Sequence, residues 1–178
     1  MSLLKRDRAA LVVVDVQEGF RPAVERFDDV VAQTVKLVRG ARELGVPVIV
    51  TEQYPKGLGA TVPEIADHLL GVGDPIEKTV FSAARAEGFD LLGRGQAMVV
   101  GIEAHVCVSQ TAHDLMADGI DVHIVADAVS SRAPEDRDRA LARLERSGAT
   151  VTTTEAALFE LLERAGSPEF KFIQGLVK

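Results

Sequence analysis

Three residues able to share one chemistry stand near the ends of apolar segments. Asp15 follows the run Ala9–Val14, Lys78 sits within Ile76–Val80, and Cys107 closes Gly101-Ile102-Glu103-Ala104-His105-Val106-Cys107. A cysteine where a strand runs into a helix gains from the helix dipole and the unpaired amides, which favour the thiolate. A nearby ammonium lowers the thiol pKa further. A carboxylate within reach can accept the thiol proton and pass it to a leaving group, while the same amides hold an oxyanion. The chemistry on offer is nucleophilic hydrolysis at a carbonyl-like carbon.

Each residue also has a plainer reading. A lone cysteine at an apolar strand–helix junction is often a small core residue. An aspartate after an apolar strand often caps or turns the chain. A lysine in Glu77-Lys78-Thr79 can simply be solvated, and spacing alone does not bring the three together. The glycines of Lys56-Gly57-Leu58-Gly59 lack the full dinucleotide fingerprint and do not join a strand directly to a helix.

Positioning these residues falls to alternating strands and helices. Ala9–Val14, 46–51, 97–102, 122–126 and 150–153 are short apolar or β-branched runs, as expected of strands buried on both faces. Ile76–Val80 is a further extended segment around Lys78. Helical spacing covers 30–44, 106–118 and 134–147, each followed by glycine or ending beside one. Pro63 opens a short helix through Leu70, a helix over 85–92 precedes the third long strand, and Thr154 caps a helix over 155–164. Residues 53–63 read as a loop, and the apolar tail 168–178 should dock on the body or on a second subunit. The pattern predicts one domain over 1–178, a three-layer α/β/α fold with a mainly parallel sheet of five to six strands.

Composition narrows the function. Hydrophobic residues make up 47% of the chain and aromatics only 4%, so the core must be aliphatic. The net charge of −7, with no basic run, argues against nucleic-acid binding. Glu135 to Arg146 mixes both signs on a helical pattern and reads as a solvated face. The single cysteine permits no internal disulfide, and no apolar run approaches the ~20 residues of a membrane span. Residues 1–7 lack the apolar segment of a signal peptide, so a cytoplasmic location is expected.

Val13-Val14-Asp15-Val16-Gln17, Glu77-Lys78-Thr79 and Gly101–Val108, in this order, resemble the isochorismatase-like cysteine hydrolase superfamily, which is Rossmann-like in fold. Thr51–Gly59 and Phe170–Gln174 are similar to its isochorismatase-domain-containing subgroup. The resemblance implies a triad of Asp15, Lys78 and Cys107, and a non-proline cis peptide at Ile102–Glu103 in an oxyanion loop that reaches Cys107. It implies Gln17, Phe20, Gln53, Tyr54, Phe81 and His105 as substrate-pocket candidates. It also implies a small-molecule substrate and a homo-oligomer, dimer or tetramer. Nicotinamidases of the superfamily carry an Asp-x-His metal motif where this chain has Thr51-Glu52-Gln53-Tyr54, and His68 stands alone. No metal and no cofactor is therefore expected. The reading implied is an amide-like C–N hydrolase working through a thioester. Vinyl ether hydrolysis with Asp15 as acid, and a non-catalytic binding protein, are the alternatives.

Overall fold

The computed structural model describes residues 2–178. Six strands form one sheet: β1 (Ala9–Val14), β2 (Val48–Gln53), β3 (Ile76–Lys78), β4 (Gln96–Ile102), β5 (Asp121–Ser130) and β6 (Thr150–Thr152). Their spatial order is β3-β2-β1-β4-β5-β6, and every neighbouring pair is parallel. The helices are α1 (Phe27–Glu43), α2 (Pro55–Leu58), α3 (Pro63–Ala66), α4 (Ser109–Ala117), α5 (Pro134–Arg146), α6 (Thr154–Leu162) and α7 (Phe170–Val177).

β1 shows why three layers result. All six of its residues are buried, so both faces must be covered. Leu11 and Val13 enter one core with α1, α6 and α7, whereas Ala10, Val12 and Val14 enter the other with α4 and α5. Each fully buried Val or Leu contributes about 1.5–3 kcal/mol. The apolar tail forms α7, and its Ile173 and Leu176 close the first core.

Three sequence expectations need correction. No α-helix spans 85–92: a single 3-10 turn (Ala83–Arg85) forms, and Gly88 then turns the chain at φ +83°. Asp90 accepts the Leu92 amide at 2.7 Å, a local turn that competes with helix. Thr153, not Thr154, caps α6, its hydroxyl accepting the Ala156 amide at 3.4 Å. The segment 53–63 is not pure loop, because α2 forms inside it and α3 follows at once.

β5 is longer than expected because it bulges. Val99 pairs with Ile124 but Gly101 pairs with Val129. The bulge frees backbone carbonyls, and Arg137 of α5 donates to two of them, Val129 O at 3.1 Å and Ala126 O at 2.5 Å. Asp127, within the bulge, accepts the amide and hydroxyl of Thr154 at 2.9 and 3.0 Å, tying β5 to the start of α6.

Candidate active site

Strand order reverses between β1 and β4, the place where open parallel sheets leave a crevice at their carboxyl ends. Asp15 leaves β1 there in a left-handed conformation, φ 55°. Gly101 stands opposite on β4 at φ +115°, and a Cβ on it would lie 2.0 Å from the Val14 carbonyl oxygen. Glycine is required, because the two strand ends touch backbone to backbone. The Ile102–Glu103 peptide bond that follows is cis. The chain then enters α4 through a π-helical turn, Ala104–Val108, which carries Cys107. Such turns recur at functional sites.

Asp15 and Lys78 meet. Lys78 Nζ donates to Asp15 Oδ2 at 2.7 Å, with neither side chain exposed to solvent. The ammonium also donates to Gln53 Oε1 at 2.7 Å and to the Phe81 carbonyl at 3.0 Å, with the Val80 carbonyl at 3.3 Å. Asp15 Oδ1 accepts the Thr51 hydroxyl at 2.7 Å. A buried ion pair of this kind needs such added partners to offset desolvation.

Cys107 is 4% exposed and packs in the core beside α4 and α5. Burial pushes its thiol up to about 12; the Asp15 and Glu103 charges add to this, and the Lys78 charge opposes it. The expectation of a stabilised thiolate is therefore reversed. Lys78, paired with Asp15, opposes the shift without overcoming it, and the resting group is a thiol.

The pocket candidates do not line one cavity. A cleft of about 400 Å³ is bordered by Tyr54, Lys78, Val80 and Arg85. His105 borders a different pocket with Ser109 and Asp136, and its Nδ1 lies 3.0 Å from the Ser131 hydroxyl. Phe81 and Tyr54 are each about half exposed, and Phe20 packs against the first core. Gln17 is a correction: it is fully buried, and its amide spans Gln53 N (2.7 Å), Gln53 O (3.1 Å) and Gly59 O (2.6 Å). It is a strut between β2 and the α2 loop. Gln53 likewise faces protein, accepting from Lys78 and donating to the Thr79 carbonyl at 3.0 Å.

Sequence reasoning missed Thr51 and Glu52 as structural participants, and placed Glu103 in the cis-peptide loop without its side-chain partner. Glu52, buried, accepts the Thr61 amide and hydroxyl at 2.6 and 2.7 Å, and Glu103 accepts the Arg132 amide and Nε at 2.9 and 3.0 Å. The available signal was a charged or polar residue at the end of an apolar strand. Thr51-Glu52-Gln53 thus spends its side chains on Asp15, Thr61 and Lys78. Among the described residues, no group of three or more His, Cys, Asp or Glu side chains is arranged to hold a metal ion.

The sequence profile of the Isochorismatase domain matches residues 9–156. The chain belongs to this family of hydrolases. It is 47% identical over 171 residues to Isochorismatase domain-containing protein 1 of Danio rerio, an alignment covering 92% of this chain and 59% of that protein. The chain thus spans about three fifths of that relative. Among solved structures it is similar to the MAR1 ribonuclease of Caenorhabditis elegans, with TM-score 0.93 and 41% identity, covering 99% of this chain and 92% of the other. YcaC from Pseudomonas aeruginosa, whose structure holds hexane-2,5-diol and a covalent acrylamide, aligns with TM-score 0.88 and 26% identity over 98% and 91% of the two chains. The isochorismatase-like fold is thereby established for this chain. No helix of the described residues is long and apolar enough to cross a membrane.

Proposed function

We propose that this isochorismatase-family chain hydrolyses the C–N bond of a small amide-like substrate through covalent attack by Cys107. The observation that carries the reading is the buried carboxylate of Asp15, paired with Lys78 at 2.7 Å, whose charge acts on the Cys107 thiol. A thiol held up near 12 is a poor nucleophile by itself at neutral pH, so attack requires a base at hand. Asp15 takes the proton as the S–C bond forms. Backbone amides of the Ile102–Cys107 loop hold the oxyanion, and Lys78 keeps Asp15 anionic. The C–N bond then breaks, and the amine leaves with the proton from Asp15. Water, deprotonated by Asp15, attacks the thioester; the carboxylic acid departs and the proton returns to sulfur.

The covalent acrylamide held by the Pseudomonas aeruginosa neighbour supports adduct chemistry on this fold. The net charge of −7 favours a small molecule over RNA as substrate, in spite of the ribonuclease name borne by the Caenorhabditis elegans neighbour. We also read the molecule as a homo-oligomer. The half-exposed Tyr54, Val80 and Phe81 near the site support this, and sedimentation velocity tests it.

The test of the activity is Cys107→Ala, screened with wild type against amides, esters, isochorismate and a structured RNA. Amide turnover by wild type, lost in a folded Cys107→Ala, is expected. Full activity in the variant would sink the covalent mechanism. Pyruvate release by the variant would favour vinyl ether chemistry, and RNA cleavage would overturn the small-molecule reading.

A further inference from the structure

Asp15 must do two things in the proposed reaction: stay ionised while buried, and keep a lone pair aimed at the thiol. Its contacts show how the fold arranges this. An ionised carboxylate offers about four lone-pair sites. Lys78 takes one on Oδ2 and Thr51 takes one on Oδ1, each at 2.7 Å. The Lys78 ammonium is itself spent, since its three protons face Asp15, Gln53 and the carbonyls of Val80 and Phe81. Lys78 therefore has no proton left for a substrate.

Thr51 holds Asp15 at two points. Its carbonyl accepts the Asp15 amide at 3.1 Å, and its hydroxyl donates to Oδ1. Thr51 is fully buried, within β2 and in register with Val14. A β-branched side chain in a strand has restricted χ1, so this hydroxyl is fixed in direction. Carboxylate torsions, by contrast, are broad. Without the hydroxyl, the carboxylate is free to turn both oxygens toward Lys78 and away from sulfur.

We propose that Thr51 is a positioning residue, whose hydroxyl fixes the rotation of the Asp15 carboxylate and stabilises its charge so that it can take the proton of Cys107. The inference rests on the reading of Asp15 as base. The groups bonded to this carboxylate are Lys78 from β3 and Thr51 from β2, and its charge and that of Glu103 act on the Cys107 thiol of the π-helical turn.

The chain's single cysteine makes the test direct. Iodoacetamide alkylation of Cys107 forms an S–C bond, expels iodide and releases the thiol proton. Its rate at neutral pH, followed by intact-protein mass spectrometry, reads how well the base is aligned with the thiol. In Thr51→Val, nearly isosteric but without the hydroxyl, the neutral-pH rate should fall about tenfold from lost alignment. Thr51→Ser should restore it. Thr51→Ala replaces Thr51→Val if circular dichroism finds the latter unfolded. A wild-type rate in the folded hydroxyl-free variant, or failure of Thr51→Ser to rescue a slowed one, overturns the role of Thr51. Asp15→Asn separates the two levels: a wild-type rate in that variant removes the base reading itself. Suppression there, with a wild-type rate in Thr51→Val, removes the Thr51 inference alone.

Discussion

His123 is the titratable residue most at odds with its surroundings. Its ring is fully buried on β5, both nitrogens lack a hydrogen-bond partner, and the nearest ionic group is Asp121 at 3.8 Å. Burial pushes its pKa below the ordinary 6.5, with the Asp121 and Glu160 charges opposing. A lowered folded-state value means that the unfolded chain binds the proton more readily. Stability is therefore level above 6.5 and falls as pH drops below it toward the folded-state value. The slope from this one proton is at most about 1.4 kcal/mol per pH unit. Thermal unfolding across that window should show the loss, and His123→Leu should flatten it. At this same scale the sequence was least informative. Asp15, Lys78 and Cys107 were legible as a set only through order and resemblance. The upward shift of the thiol was not, because it comes from three-dimensional burial. Thr51 was invisible as a site residue, since a threonine in a strand reads first as a β-branched strand former.

Elements were more legible where the pattern was uniform. β1 and β4 are continuous apolar runs and were readable within a residue or so. The expected helix over 85–92 failed because apolar spacing there coexists with Gly88 and an Asp90 turn, and the local turn won. The β5 bulge left no period to read; only its partners, Arg137 and Asp127, reveal it. The tightest element contact is between the ends of β1 and β4. Gly101→Ala there meets the Val14 carbonyl at 2.0 Å in a conformation that already disfavours a side chain. We expect a loss above about 4 kcal/mol, measured by urea unfolding. A near-native Gly101→Ala would mean that the crevice is wider than described.

At the scale of the whole molecule, the apolar tail expected to dock somewhere does so on its own chain. Ile173 is fully buried against α1 and α6. Ile173→Ala should cost about 2–5 kcal/mol in chemical denaturation, whereas a tail reserved for a second subunit would leave monomer stability almost unchanged. The strand order has another consequence, for the growing chain. Asp15, Thr51 and Lys78 belong to the first half of the sequence, β1 to β3, which forms one flank of the sheet. Cys107 arrives only after β4 has added to the free edge of β1. During synthesis the ribosome therefore emits Asp15, Thr51 and Lys78 long before Cys107. An interrupted polypeptide ending ahead of β4 carries no thiol at all, so a prematurely released fragment offers no sulfur to alkylating reagents or oxidants.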